Sequence, residues 1–548
     1  MIKKIKLIND AVNKFLDFPS TFKDTKLKKV FFLRNEQVET LCEKINNYSY
    51  LSKLNFKFFF SGYDNNLPLT NKKFDICVIW LDYTEYKINI NFFNWIKSKA
   101  DELSLFCDYV LIKPILIPKT KFSKIIHINK NYKKIFQNEK VIFLDILDEL
   151  LRNYNNIWDL ERSNFFGTKT SLFGQNLQSK LIGLKVFPSL YNQKIKSIIF
   201  DLDDTLYTGV IGEDGINKIY LDKNQKKAEK IYSKLQKNGT LLSICSKNNN
   251  DDLKEIFKKR KLKRKLFFPI IANWELKSEN IMEIQKILKI SFSNILFIDN
   301  NINEVLEVKK RIPDINVFWS HNSESFVNCL RYYPNIDDYF NINSKKINIK
   351  RIIDLKASLK REKILKNANT KNHLAMLKMK IQYRLNNDNE FDRIFSLTNK
   401  VNQFIFTYKR FSKNQIKEYI KDQNKFVFTI SLKDKFSDSG NIGVIFFSIK
   451  NHIIYLDEIC ISCRALGRKL EDYFIFYPLK ILSKNIKYKS LIIKFSKGSK
   501  NEPAAKYYNE LQKKFLNKKS QSSIIEIPSY RIKNVTTSNK DISISFKN

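Results

Sequence analysis

The sequence predicts an α/β protein built around parallel sheets, and two observations lead to this class. Short apolar strands alternate with longer helical patterns up to about residue 185, and again from about Lys194 to Asp338. Such alternation is typical of βαβ units around a parallel sheet. A third region has consecutive strands before a helix, which predicts an α+β fold. The 548 residues suffice for about three domains of ordinary size.

The predicted strands are short apolar runs. Those of the first region are 30–33, 56–60, 76–81, 109–112 and 141–144. Those of the second are 197–200, 241–245, 267–271, 295–298 and 315–318, and those of the third are 426–431, 442–449 and 453–460. A Lys-rich stretch predicts a helical connector, and the polar stretch after Lys519 predicts less regular structure. The predicted domains are 1–190, 191–342 and 379–548, with the connector at 343–378.

The formal charge of +42 is extreme for a chain of this length. Lysine and asparagine are abundant along the whole chain, and no stretch combines clustered arginine with stacking aromatic residues. The charge therefore does not favour a nucleic-acid function. A basic surface would instead steer acidic partners toward the protein.

The cysteines and the apolar runs bear on the compartment in which the protein is expected and on whether it spans a membrane. No secretory signal is recognisable, so the chain is expected to be reduced and cytoplasmic. The apolar runs are far shorter than the about 20 residues that a membrane span needs. The seven cysteines, mainly in or beside apolar runs, are Cys42, Cys77, Cys107, Cys245, Cys329, Cys460 and Cys463.

The first predicted strand of the second region ends in a D-x-D pattern formed by Asp201 and Asp203. In an open parallel sheet, ligands bind outside the carboxyl ends of the strands, where both carboxylates should lie. Asp201 is the candidate nucleophile, which would form an aspartyl-phosphate. Asp203 is the candidate acid and base. A lone D-x-D can also end a strand as a simple turn or cap.

Further polar residues follow the next strands in order. Ser246 is placed to hydrogen-bond a phosphoryl oxygen, and Lys277 begins a helix where negative charge can be held. Asp299 can share a Mg²⁺ ion with Asp201, since Mg²⁺ prefers oxygen ligands, and Glu304 can support the ion through water. Together these groups favour a phosphoryl-transfer site over a set of unrelated caps.

The order D-x-D-x-T, Ser246, Lys277 and Asp299 resembles the four motifs of the haloacid dehalogenase (HAD) superfamily of phosphotransferases. Longer matches resemble its FkbH-like proteins of the HAD-IIIC type, and they cover nearly the whole chain. These matches are Leu206–Gly215, Cys245–Asn248, Asn273–Asn280, Val78–Asp82, Asn399–Phe404, Asp434–Asp438 and Ser462–Arg468.

The resemblance implies a Rossmann-like HAD core with a minimal cap, since the interval between Thr205 and Ser246 is short. It implies that Thr205, Ser246 and Lys277 bind phosphate. It also implies that Asp201, Asp203 and Asp299 hold Mg²⁺. Asn300 replaces a second acid that the family usually has, which removes a charge near the metal.

The activity that the resemblance implies is removal of phosphate from 1,3-bisphosphoglycerate and loading of the glyceryl group on an acyl carrier protein. The acceptor is the phosphopantetheine thiol of the carrier, in polyketide or related biosynthesis. One alternative is a phosphatase or phosphotransferase that acts on a small phosphorylated metabolite. Another is a scaffold that recruits a carrier protein through its flanking domains.

Formation of a thioester on the carrier can proceed through an acyl group that is first held on a cysteine of the protein. Cys245, beside Ser246, is the candidate to hold a transient thioester. The alternative interpretation is that Cys245 is a buried residue of the strand without a catalytic role. Cys463 is a second candidate. The pair Cys460-x-x-Cys463 lacks the further ligands that a zinc site needs.

The flanking domains resemble two further folds. The first resembles an SGNH hydrolase but lacks the nucleophilic serine after its first strand, so docking is expected rather than hydrolysis, with Asn35 or Asp82 lining a residual pocket. The last resembles GNAT acyltransferases. Their pyrophosphate turn reads R/Q-x-x-G-x-G/A, and the chain matches it up to the last position, where Lys469 replaces a small residue. Binding of CoA is therefore not expected, whereas binding of a pantetheine arm is. The residues of this turn are Arg464, Gly467 and Arg468.

Overall fold

The N-terminal region forms the parallel sheet that its alternating pattern predicts. The structure is a computed structural model that describes residues 1–16, 26–63, 73–136, 140–144, 146–161, 163–259, 262–336, 357, 361, 377–462, 465–466, 468, 470–498, 501–516, 522–535 and 542–547. The sheet has the order β2-β1-β3-β4-β5, and every pair is parallel. Its strands are β1 (Lys26–Arg34), β2 (Leu54–Phe60), β3 (Phe74–Trp80), β4 (Cys107–Ile112) and β5 (Val141–Phe143).

The N-terminal region also contains helices, three of which connect consecutive strands of this sheet. They are α1 (Ile2–Asn13), α2 (Glu39–Ser49), α3 (Ile90–Leu103), α4 (Phe122–Ile135), α5 (Leu147–Arg152), α6 (Ser163–Phe166), α7 (Leu172–Leu181) and α8 (Phe187–Tyr191).

A second parallel sheet follows, with the order β10-β9-β6-β7-β8. The chain enters at the central strand, whose four residues are all buried, and later strands add on both sides. Its strands are β6 (Ser197–Phe200), β7 (Leu241–Ser246), β8 (Ile270–Ala272), β9 (Ile295–Asp299) and β10 (Asn316–Trp319). Its helices are α9 (Ile211–Asp214), α10 (Lys223–Lys237), α11 (Asn250–Lys258), α12 (Lys277–Leu288), α13 (Ile302–Arg311) and α14 (Ser323–Tyr332).

Both parallel sheets belong to one compact unit, Met1–Lys345. A single cluster of buried apolar side chains includes Val30 and Ile76 of the first sheet and Ile198 and Phe200 of the second. Because this core is continuous, the predicted boundary at residues 190 and 191 stays a prediction. The α/β class with parallel-sheet cores is confirmed.

The second compact unit, Lys346–Asn548, contains a mixed seven-stranded sheet with the order β16-β15-β14-β13-β12-β11-β17. The pairs β11/β17 and β14/β15 are parallel and the others are antiparallel. Its strands are β11 (Met379–Leu385), β12 (Lys425–Lys433), β13 (Asp438–Lys450), β14 (Ile453–Ile461), β15 (Ser490–Lys494), β16 (Ile524–Pro528) and β17 (Ile542–Lys547). Its helices are α15 (Phe391–Lys400), α16 (Lys413–Lys421), α17 (Glu471–Leu482), α18 (Glu502–Leu516) and α19 (Ser529–Lys533).

Two expectations concern segments outside these sheets. The predicted helical connector, 343–378, lies mostly outside the described residues. After Lys519, where less regular structure was expected, the described residues instead form β16, α19 and β17. No helix in the described part of the chain has the length and apolar character that crossing a membrane requires.

Candidate active site

The carboxyl edge of the second sheet brings four of the predicted site residues together. Asp201 directly follows the central strand β6, and Ser246 and Asp299 are the last residues of its neighbours β7 and β9. Lys277 is the first residue of α12, after β8. Because parallel strands end at the same edge, residues distant in sequence converge there.

A buried lysine links the two carboxylates of this edge. The Nζ atom of Lys277 lies 2.8 Å from Oδ1 of Asp201 and 2.6 Å from Oδ2 of Asp299. The three side chains are at most 6% exposed. Two negative groups thus share one positive group in a site that excludes most water, where charge interactions are strong.

Burial and neighbouring charges set the protonation of this cluster. Burial raises the pKa of Asp201 to about 7, although the Lys277 ammonium opposes the shift. Burial also raises the pKa of Asp299, again against the effect of Lys277. For Lys277, burial acts to lower the pKa, but the two carboxylates outweigh it and raise the pKa. Lys277 is therefore protonated and carries a positive charge.

Asp203 makes no ion pair with Lys277 among the described contacts and accepts three hydrogen bonds. Its Oδ1 accepts from the Tyr207 hydroxyl at 2.7 Å and from the Ile211 backbone N–H at 3.3 Å. Its Oδ2 accepts from the Asn248 amide at 2.9 Å. Tyr207 and Asn248 are site residues to which sequence reasoning assigned no role, although both lie in segments matched to FkbH-like proteins.

The predicted phosphate-binding hydroxyls are both inaccessible to bulk solvent. Ser246 and Thr205 are fully buried, and the Thr205 hydroxyl has no hydrogen-bond partner among the residues that the structure describes. A buried hydroxyl without a partner is costly unless something pairs with it. This observation is compatible with a polar ligand at the site.

Side chains behind the cluster hold its supporting elements in place. Glu307 on α13 accepts from the Ser278 hydroxyl at 2.6 Å and from its backbone N–H at 3.3 Å, which fixes the start of α12. Glu304, whose predicted support of a metal through water stays a prediction, pairs with Lys247 at 2.6 Å. That ion pair joins the loop after β7 to α13.

The structure does not support the predicted catalytic role of Cys245. Its side chain is fully buried, and its thiol donates to the backbone carbonyl of Lys277 at 3.7 Å. Burial raises the pKa of the thiol, which disfavours the reactive thiolate. These features are typical of a structural cysteine. Cys463 lies outside the described residues.

The cluster contains oxygen donors of the kind that Mg²⁺ prefers. The described residues contain no group of three or more His, Cys, Asp or Glu side chains gathered around a metal position. Asp203, whose predicted role as a ligand stays a prediction, accepts hydrogen bonds from Tyr207 and Asn248. Asp201 and Asp299 nevertheless converge on one cationic group, and Mg²⁺ commonly takes only one or two carboxylates and completes its shell with water. The residues therefore fit Mg²⁺.

The carboxyl edge of the first sheet ties its loops together. The backbone N–H of Asp82 donates to Oδ1 of Asn35 at 2.7 Å, and the Asn35 amide donates to the Asp82 carbonyl at 3.3 Å. The Asp82 carboxylate pairs with Lys169 at 2.9 Å. These contacts engage both residues that were expected to line a residual pocket.

The predicted pyrophosphate turn of the second unit is only partly described. Arg464, Gly467 and Lys469 lie outside the described residues. Arg468 is 6% exposed, and its guanidinium lies 3.1 Å from the buried carboxylate of Asp434. The Arg468 side chain therefore belongs to a buried ion pair, and the role of the turn in holding a phosphate through its backbone stays a prediction.

Comparisons with known proteins gave similarities to solved structures alone, since no family model and no curated protein matches the chain. The chain is similar to the N-terminal part of the protein BF1531 from Bacteroides fragilis, which contains a phosphatase domain complexed with Mg. The identity is 20%, covering 61% of this chain and 99% of that chain, with a TM-score of 0.47.

Two acetyltransferases are also similar to part of the chain. Spermidine N-acetyltransferase from Vibrio cholerae, in complex with CoA and spermine, is 14% identical over 28% of this chain and 98% of that chain, with a TM-score of 0.22. The ribosomal-protein-S18-alanine N-acetyltransferase from Escherichia coli is 9% identical over 29% of this chain and 97% of that chain, with a TM-score of 0.21. These values are low, so the function has to be inferred from the geometry of the site.

Proposed function

We propose that the chain is a Mg²⁺-dependent phosphoryl-transfer enzyme of the HAD type, with its site at the carboxyl edge of the second sheet. The observation that carries this proposal is the buried cluster of Asp201, Lys277 and Asp299, with Ser246 on the adjacent strand end. Phosphoryl transfer depends mainly on positioning and on stabilising charge, and this cluster supplies both.

Each residue has a role in two chemical steps. A carboxylate oxygen of Asp201 attacks phosphorus, and the bond from phosphorus to the leaving oxygen breaks, which gives an aspartyl-phosphate. Asp203 gives a proton to the leaving oxygen and later takes one from the attacking water. Water then displaces Asp201 and releases inorganic phosphate. Ser246 donates to a phosphoryl oxygen, and Lys277 offsets its negative charge.

Asp201 and Asp299 are the residues that would hold Mg²⁺. The bound ion supplies charge neutralisation and orientation for the phosphoryl oxygens. Lys277 keeps the two carboxylates close together, which reduces the reorganisation that binding of a divalent cation requires.

For the substrate, we propose an acyl phosphate such as 1,3-bisphosphoglycerate, with an acyl carrier protein as the acceptor. This molecule has a phosphate ester at one end and a mixed anhydride at the other. Attack of Asp201 on the anhydride phosphorus would leave a free carboxylate and lose the activation that a thioester needs. We therefore assign Asp201 to the ester phosphate. The pantetheine thiol, losing its proton to water, attacks the anhydride carbonyl carbon, which forms the thioester and releases inorganic phosphate.

The support for this substrate is the resemblance to FkbH-like proteins together with the net charge of +42, which would attract an acidic carrier protein. A phosphatase that acts on a small phosphorylated metabolite is the second candidate. Every cysteine that the structure describes is buried, which disfavours a route that holds the acyl group on one of these thiols and favours either direct attack by the pantetheine thiol or simple phosphate release.

The experiment is intact mass spectrometry of a phosphopantetheinylated carrier protein incubated with the full chain, Mg²⁺ and 1,3-bisphosphoglycerate, with phosphate release measured in parallel. Asp201→Asn is the test variant, and Asp251→Asn, at an exposed position, is its matched control. A glyceryl-sized gain that requires Asp201 would support acyl loading. Asp201-dependent phosphate release without that gain would support the phosphatase, and no effect of Asp201→Asn on either readout would favour a scaffold.

A further inference from the structure

We propose that Asn248 is a positioning residue that orients two groups of the site at once, the Asp203 carboxylate and the Ser246 hydroxyl. This inference rests on the proposed phosphoryl-transfer function and adds a residue to its machinery. Asn248 follows strand β7 by two positions and is 4% exposed. It acts through Asp203 and Ser246.

The geometry around the Asn248 amide carries the inference. Its Nδ2 atom donates to Oδ2 of Asp203 at 2.9 Å and to Oγ of Ser246 at 2.9 Å. A side-chain amide nitrogen has two hydrogens, so both bonds can form together. A single side chain thus fixes the distance between the proton-transfer group and the phosphate-binding group.

The bond to Ser246 determines which way its hydroxyl points. Because Oγ of Ser246 accepts a hydrogen from Asn248, the serine's own hydrogen is left for another acceptor. A phosphoryl oxygen is such an acceptor. Asn248 therefore sets Ser246 as a donor toward the phosphoryl group.

The bond to Asp203 completes a set of donors on both sides of that carboxylate. Oδ1 is held by the hydroxyl of Tyr207, which is fully buried, and by the backbone N–H of Ile211. Oδ2 is held by Asn248. With donors on both oxygens, the carboxyl group is restricted to one orientation, and loss of Asn248 frees the oxygen on the Ser246 side.

The test separates positioning of an acid from mere support of the loop. Transfer of a proton to the leaving group matters for an alkyl phosphate, whose leaving oxygen is basic, and much less for an aryl phosphate such as p-nitrophenyl phosphate. We expect Asn248→Ala to lower kcat/KM for glycerol 3-phosphate, the alkyl probe, by about tenfold more than for p-nitrophenyl phosphate. Asn248→Gln, which keeps the amide donors, should recover part of the loss.

Two further measurements accompany the kinetics of the full chain with Mg²⁺. The affinity for inorganic phosphate, measured by titration calorimetry, should fall several-fold in Asn248→Ala because Ser246 loses its fixed orientation. The Tm should fall modestly, because Asn248→Ala leaves an Asp203 oxygen and the Ser246 hydroxyl without this donor, and Asn248→Gln should recover part of that fall as well. Asn250→Ala, at an exposed neighbouring position, is the matched control and should match the wild type in all readouts.

Equal losses on both phosphate probes, or no loss on either, would overturn the positioning role while leaving the proposed function intact. A wild-type chain that turns over neither probe and shows no Asp201-dependent phosphate release from acyl phosphates would overturn the proposed function itself, and this inference with it. The two failures are distinguished by the wild-type activity alone.

Discussion

At the residue scale, the central feature is a buried cluster with unequal charges. Two carboxylates, Asp201 and Asp299, share the single ammonium of Lys277. Burying a charge is costly unless it is paired, and here one negative charge is in excess. The raised pKa of Asp201 reflects this imbalance, with burial as its largest cause. A divalent cation would offset the excess.

Addition of Mg²⁺ should therefore raise the Tm of the full chain, and chelation should reverse the gain. A ligand that binds the folded state alone stabilises it according to its concentration and affinity. Asp299→Asn should lose most of the gain, whereas Asp314→Asn, at an exposed position, should keep it. Differential scanning fluorimetry with and without Mg²⁺ measures the effect. An equal gain in Asp299→Asn and the wild type would show that the ion binds elsewhere.

Part of the site could be predicted from the sequence because its residues follow strands. Asp201, Ser246 and Asp299 each end or follow an apolar run, so their place at the edge of the sheet follows from the parallel pattern. The partners of Asp203 could not be predicted in this way. Tyr207 and Asn248 reach it through turns, whose path in space a hydrophobic pattern does not specify.

At the element scale, helix α12 presents Lys277, and its start is fixed by a side chain from another helix. Glu307 of α13 accepts two hydrogen bonds from Ser278, the residue after Lys277. The first N–H groups of a helix lack partners within the helix, so an acceptor there stabilises the start. This contact also limits how far Lys277 can move.

Glu307→Ala should lower the free energy of unfolding by about 1–2 kcal/mol, since it removes the acceptor at the start of the helix. It should also lower kcat/KM several-fold, because Lys277 loses its fixed position. Urea denaturation and steady-state kinetics measure the two effects. Glu283→Ala, at an exposed position of α12, is the control. Full activity in Glu307→Ala would contradict the coupling of α12 to the site.

Helix α1 is held at its end by a buried lysine of α7. The Nζ atom of Lys180 donates to the carbonyls of Val12 at 2.6 Å and of Lys14 at 3.2 Å. The last carbonyls of a helix lack partners within it, and a lysine can satisfy them. Burial lowers the pKa of Lys180 to about 7, against an opposing effect of Glu149.

This lowered pKa predicts a pH dependence of stability. Between pH 7 and the usual lysine pKa of about 10.4, the unfolded chain binds a proton at Lys180 that the folded chain does not. The free energy of unfolding should therefore rise with pH in this range, relative to Lys180→Met, by about 2–4 kcal/mol from pH 7 to 10. Urea denaturation at several pH values measures it, with Lys130→Met, at an exposed position, as control. A constant difference between wild type and Lys180→Met would contradict the lowered pKa.

The strands of the parallel sheets could largely be predicted, but the observed bounds differ from the predicted ones where a residue cannot take part in strand pairing. The strand predicted at 267–271 is observed at Ile270–Ala272, after Pro269, which has no N–H to donate to a ladder. In the second unit, four strands were not predicted, namely β11, β15, β16 and β17. The last two lie after Lys519, where irregular structure was expected. Their apolar residues alternate with Ser, Lys and Glu, so composition alone suggested irregular chain.

At the scale of the whole molecule, the chain has two compact units, and the candidate site lies entirely in Met1–Lys345. This unit has its own continuous core, in which both parallel sheets take part. The second unit has a separate core around its mixed sheet. The proposed phosphoryl transfer therefore belongs to the first unit.

A fragment of residues 1–345 should fold and release phosphate from p-nitrophenyl phosphate with kcat/KM similar to that of the full chain. The reason is that every described contact of the site comes from this unit. Circular dichroism establishes folding, and kinetics of both proteins give the comparison. A folded but inactive fragment would mean that residues after 345 complete the site.

The most direct test of the proposed function is acid-quenched intact mass spectrometry of the full chain mixed with Mg²⁺ and p-nitrophenyl phosphate. We expect a transient gain of about 80 Da that maps to Asp201, because a carboxylate nucleophile forms a covalent phosphoryl intermediate. Asp251→Asn should show the same gain and Asp201→Asn should show none. Steady turnover without any adduct, undiminished in Asp201→Asn, would contradict Asp201 as the nucleophile.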